Sequence, residues 1–135
     1  MDDYRRLYAW QRAHALSVAL HSHSRRIRER TYPGLCDRLR RVASGIPQQI
    51  VEGARHGSGS GFQDRVEGAI ELARELECQL EMVRDLGALP RADALELLRH
   101  TIEVKRLLLG VLAGLRPLTV GGGVPVPMPR GPGAC

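Results

Sequence analysis

Phe62-Gln63-Asp64-Arg65-Val66-Glu67-Gly68-Ala69-Ile70-Glu71-Leu72-Ala73-Arg74-Glu75-Leu76-Glu77-Cys78-Gln79-Leu80-Glu81-Met82-Val83 sets apolar residues at 62, 66, 69, 73, 76, 80 and 83. The steps alternate four and three, which brings every one of these side chains to a single stripe of an α-helix. About three seven-residue repeats of such a seam require a partner surface of the same length. Gly87 ends the pattern and Pro90 blocks its continuation.

The flanking sequence supplies the partners. Downstream, Arg91 to Leu115 repeats the alternation through Leu97, Thr101, Val104, Leu108, Val111 and Leu115. A second apolar row (Leu95, Leu98, Ile102, Leu109, Leu112) gives this helix two faces to bury, so it sits centrally or meets another subunit. Upstream, Gly57-Ser58-Gly59-Ser60-Gly61 reads as a flexible connector. Before it, Gly34 to His56 carries Leu35, Leu39, Val42, Ile46, Ile50 and Gly53 in steps of three and four. Pro47 removes one backbone donor there, yet the apolar phase passes through it, which predicts a kink rather than a stop. The first segment, Asp3 to Glu29, places Leu7, Trp10, His14, Leu16, Leu20 and Ile27 on helical spacing. Thr31-Tyr32-Pro33-Gly34 is a turn.

Four helices of similar length joined by short connectors predict an all-α, antiparallel up-down-up-down four-helix bundle over residues 1–116. From Pro117 the chain has no packing pattern, and 117–135, rich in glycine and proline, reads as a disordered tail. Composition agrees: 43% of the 135 residues are hydrophobic but 4% aromatic, which suits Leu/Ala helices better than strands. No apolar run approaches the roughly 20 residues of a membrane span. The odd set Cys36, Cys78 and Cys135 is widely spaced and suggests free thiols; with no secretory pattern at the start, a cytoplasmic location is expected.

Chemistry that such a bundle could host is poorly supplied. A di-iron centre needs Glu-x-x-His from two helices, whereas Glu52 and Glu96 each have histidine four residues on, at His56 and His100. His21 and His23 diverge around a helix, so no metal or other cofactor is expected. The 57–61 loop follows a helix and lacks the Gly-Lys-Ser/Thr of a phosphate loop. No nucleophile–base set is suggested by spacing, and a non-enzymatic protein is expected.

Charge is more informative. The chain carries 20 bases, 19 of them arginine, against 15 acids, for a net +5. Residues 1–56 hold 11 bases and 5 acids, the remainder 9 and 10. Arg25, Arg26, Arg28 and Arg30 crowd the first turn, with Arg38, Arg40 and Arg41 just beyond. Two readings stand: a patch for nucleic-acid phosphate, to which guanidinium binds bidentately, or a solvated face or intersubunit ion-pair lattice with Glu71, Glu75, Glu77 and Glu81 of the acidic third helix as partners. Tyr32 is the only aromatic residue nearby, so sequence-specific single-strand readout is not expected. Glu52 lies beside an apolar row in a basic helix and is read as a structural ion pair with Arg41 or Arg55.

Three motifs, in order, carry a resemblance. Leu39-Arg40-Arg41-Val42-Ala43-Ser44-Gly45-Ile46-Pro47-Gln48-Gln49-Ile50-Val51-Glu52-Gly53 resembles the Ser-Ile-Pro-x-Asn-Ile-x-Glu-Gly signature of the four-helix-bundle 23S rRNA intervening-sequence proteins. Tyr4, Leu7 and Trp10-Gln11-Arg12-Ala13 resemble that family's opening, and Glu75-Leu76 with Gln79-Leu80 its third-helix element. Gly45 stands for the family's serine, Gln49 for its asparagine, and Glu71-Leu72 for its usual Gly-Ser.

The resemblance implies a homopentamer of four-helix bundles. It also implies similarity to the accessory variability protein of diversity-generating retroelements, which binds nucleic acid and a reverse transcriptase through basic surface. The resulting expectation is an oligomer contacting RNA or DNA phosphate through Arg25, Arg26, Arg28, Arg30, Arg38, Arg40, Arg41 and Arg55. The alternative is a protein-interaction scaffold, for example for a reverse transcriptase.

Overall fold

All seven residues of the 62–83 seam are buried, none more than 1% exposed. They line helix α3, Ser60–Leu86, in a computed structural model that describes residues 2–56 and 60–115. The other helices are α1 (Asp2–His23), α2 (Leu35–Arg55) and α4 (Arg91–Leu115); every regular element among the described residues is helical. Each helix packs against its neighbours in the chain, and α1 closes the ring against α4. The diagonal pairs make no close approach among the described residues, so this is the expected up-down-up-down four-helix bundle. The tail read over 117–135, Cys135, and residues 57–59 of the connector lie outside the described residues.

Helix α1 departs from expectation in two ways. Its inward face is Ala9, Ala13, Leu16 and Leu20, while Leu7 is 53% exposed and His14 faces solvent. The sequence row had merged two faces, because alanines that let helices approach closely look like mere propensity in a pattern count. The helix also stops at His23 rather than near Glu29. The Ser24 hydroxyl donates to the His21 carbonyl, Ser24–Arg26 tightens to a 3-10 turn, and Ile27 is extended and buried.

Helix α2 runs through buried Pro47 without interruption. Its start is set by Gly34 at φ +79°, a left-handed conformation that L side chains rarely adopt, and the Gly34 N–H donates to Glu29 Oε1 at 3.0 Å. Cys36 is a free thiol donating to the Ser24 carbonyl.

The α2–α3 contact explains two departures from the family pattern together. A Cβ placed on Gly45 would lie 2.9 Å from Leu72 Cδ1. Glycine at 45 thus makes room for leucine at 72, each offsetting the other. Gly45→Ser and Leu72→Ser are each expected to destabilise, while the double variant recovers on the order of 1 kcal/mol relative to their sum. Urea unfolding of the four proteins measures that coupling.

Across α1–α4, Arg12 Nε donates to Glu103 Oε1 at 2.6 Å, and His100 lies beside them with Nε2 buried and without a hydrogen-bond partner among the described residues. Burial first, then the Arg12 guanidinium, lowers the His100 pKa from its ordinary 6.5, against the weaker opposing pulls of Glu103, the Arg12 backbone and Glu96. The unfolded chain therefore takes up this proton at higher pH than the folded one. Stability is expected to fall as pH drops below about 6.5, levelling off once the folded form also protonates. His100→Gln should flatten that part of the pH profile, as denaturation at neutral and mildly acidic pH would record.

Candidate nucleic-acid interface

At one end of the bundle the α1–α2 and α3–α4 connections lie side by side. Tyr32 sits between them: its ring packs on the core and its hydroxyl donates to the Leu86 carbonyl at 3.1 Å. Arg26 reaches Asp93 Oδ2 at 3.0 Å, tying the α1–α2 connection to the first turn of α4. Beneath, Arg40 is half-buried and donates to the Ser24 hydroxyl at 3.0 Å and to the His21 carbonyl at 3.3 Å. A cleft of about 400 Å³ opens between the connections, with Arg26, Arg28 and Tyr32 on one wall and Gly87 to Pro90 on the other.

This geometry sorts the eight arginines read as phosphate contacts. Arg25, Arg28 and Arg30 are exposed on the α1–α2 connection, and Arg38 and Arg41 on the first turns of α2. Arg26 is engaged by Asp93 although 65% exposed, and Arg40 is a tie beneath the surface, so its expected place among free phosphate-binding groups is corrected. Arg55 belongs to another region, 14 residues beyond Arg41, or about 21 Å along the axis. It pairs with Glu52 at 3.5 Å. The ion pair read for Glu52 therefore forms with Arg55 and not with exposed Arg41, and it is half-exposed rather than buried. Such pairs contribute little to stability.

Within its own stretch of sequence the cluster meets few carboxylates. Residues 21–41 contain only Glu29 and Asp37, and Glu29 is occupied by the Gly34 N–H. Two of the acids read as lattice partners bond within their own protein instead: Glu71 with Arg74, and Glu77 with Lys105, both at 2.7 Å. A larger groove of about 750 Å³ runs between α2 and α3 from Arg38, but Glu71 and Glu75 line it. It does not extend the positive surface.

His23, Asp93 and Glu96 bring one ligand atom each within 4.8 Å of one another. His23 Nδ1 lies 3.5 Å from Asp93 and Nε2 3.4 Å from Glu96, while Arg26 holds the same Asp93 oxygen. A guanidinium on a would-be ligand oxygen makes this an ion-pair cluster. Sequence reasoning missed it because residues 23 and 93 meet only through the helix crossing. It also missed the Tyr32 latch, whose acceptor is a backbone carbonyl with no sequence signal.

No helix among the described residues is long and apolar enough to cross a membrane. The family profile described as 23S rRNA-intervening sequence protein matches residues 5–110. A solved structure from Bacteroides thetaiotaomicron, described as a protein with unknown function from the S23 ribosomal protein family, is similar with a TM-score of 0.74 at 16% identity. The match covers 81% of this chain and 98% of that one and speaks to the fold. No curated protein matches.

Proposed function

Since the chain belongs to the 23S rRNA-intervening sequence protein family, we propose that it is a non-enzymatic accessory protein, assembling as a homopentamer, that binds RNA or DNA through phosphate contacts. The observation that carries this reading is the group of exposed arginines 25, 28, 30, 38 and 41 on a braced end of the bundle, in a segment whose own carboxylates are only Glu29 and Asp37. Arginine presents a planar fork of donors to phosphate and keeps its charge at any physiological pH. The bracing by Tyr32, Arg26 and Arg40 holds the two connections still, so little conformational entropy is lost when a polyanion docks.

Binding of this kind releases counterions. Fluorescence anisotropy with a labelled RNA should give an affinity whose logarithm falls linearly with the logarithm of salt, by about 0.9 per neutralised duplex phosphate. Absence of binding at about 50 mM salt, where phosphate contacts are strong, would sink the proposal.

A second reading has its own support. Met82, Leu86, Leu95 and Leu109 are large apolar side chains left exposed on α3 and α4, Met82 by 62%. They suit a scaffold that docks a protein partner, such as a reverse transcriptase. Light scattering of Leu95→Asp and Leu109→Asp variants would reveal whether the two exposed leucines of α4 hold an assembly together.

A further inference from the structure

From Tyr4 to Arg28 the chain contains no carboxylate, and none occurs from Arg38 to Val51. Ten of the fifteen acids fall instead in α3 and α4. The outer flank of α1 and α2 is therefore acid-free along most of its length, well beyond the arginine cluster at its end. Ser17 meets Ser44 and the His21 carbonyl meets Arg40, which fixes the antiparallel register of the two helices. Trp10 then lies level with Val51, and His14 with Pro47 and Gln48.

In the middle of this flank the rings of Trp10 and His14 are stacked, with centroids 5.1 Å apart and planes 13° from parallel. Trp10 is half-buried against the core, which holds the pair in place, while His14 is exposed. Leu7, Val18 and Val51 are exposed apolar neighbours on the same two helices, at 53%, 56% and 42%. On the same register Arg41 lies about 9 Å along the axis on one side of the stack and Arg55 about 6 Å on the other. Arg55 is 72% exposed and, among the described residues, held by Glu52 alone at 3.5 Å, so phosphate can compete for it.

We propose that this flank is a path for single-stranded nucleic acid: a base stacks on the outer face of His14, backed by Trp10, while Arg41 and Arg55 hold phosphates on either side. The inference rests on the phosphate-binding reading and names the partner that reading leaves open. A duplex keeps its bases stacked on one another and offers the flank only phosphates, whereas a single strand offers both. Stacking of this kind tolerates any base, since each has a π-face.

Trp10 is the only tryptophan, so its emission reports on this flank alone. Oligo-dT, a duplex of equal length and an abasic deoxyribose-phosphate strand are titrated against the full chain, following anisotropy and tryptophan emission together. Oligo-dT is expected to quench Trp10, and the duplex and abasic strand to bind without quenching. His14→Ala should weaken oligo-dT by about five- to tenfold and leave duplex affinity within about twofold. Arg41→Glu should weaken all three ligands. Binding without quenching, or equal losses for oligo-dT and duplex on His14→Ala, overturns the stacking site while leaving the phosphate reading in place. No binding of any probe at low salt overturns both. If Val18→Asp breaks an oligomer and oligo-dT leaves Trp10 emission unchanged, the flank belongs to self-assembly and the proposal fails.

Discussion

Phe62→Ala is expected to lower the unfolding free energy by about 3–5 kcal/mol, the range for deleting a buried aromatic ring. The site cannot collapse to fill the void. Phe62 is 1% exposed, and a Cβ on Gly53 would sit 2.9 Å from its ring, so that side of the pocket is bare backbone. On another side the Arg6 guanidinium lies 3.9 Å from the ring centroid, where it is attracted by the π-face. Removing the ring leaves Arg6 without that seat and Gly53 with no side chain to move inward. Phe62→Leu should cost less, because most of the volume remains. Guanidinium denaturation followed by circular dichroism checks both, and a loss below about 1 kcal/mol for Phe62→Ala would show that the helices close over the gap.

Replacing Arg25, Arg28, Arg30, Arg38 and Arg41 together by glutamate is expected to reduce nucleic-acid affinity at low salt by at least about a hundredfold. The slope of log affinity against log salt should fall by about 4.5 units if all five contact duplex phosphate. All five are exposed, so the thermal midpoint should move little. Arg40→Gln should do the opposite. It takes away the donor to Ser24 and the His21 carbonyl, lowering stability while leaving the salt slope unchanged. Anisotropy titrations paired with thermal melts separate the two classes of arginine. Equal behaviour of Arg40 and the exposed five would contradict the division drawn here.

The 62–83 seam and the Leu97–Leu115 row could be read from spacing alone because their side chains are large and their periods unbroken. Helix α1 was harder. Its inward contacts are made by Ala9 and Ala13, which carry little hydrophobic weight, while Leu7 and His14 on the outside made a plausible row. The arginine cluster was legible as a count, since seven arginines in 17 residues concentrate charge whatever the fold. Its division into exposed and engaged members was not. Ser24, the His21 carbonyl and Asp93 become partners only when α1, α2 and α4 meet, and Asp93 lies 67 residues from Arg26. Glu52 illustrates the same limit: the arginine three residues on was one of two candidates, and distance decides between them, because Arg41 shares the stripe of Glu52 but lies eleven residues away, about 16 Å along the axis.

The separation of acids onto α3 and α4 gives the bundle an electric dipole across its short axis, on top of its net charge. A polyanion approaching at a distance exerts a torque before it makes any contact, turning the α1–α2 flank toward it. Orientation is thus largely settled during diffusion, which raises the fraction of encounters that succeed. The advantage operates only within the screening length, about 10 Å at 0.1 M salt. Association rate should therefore decline with salt more steeply than dissociation rises.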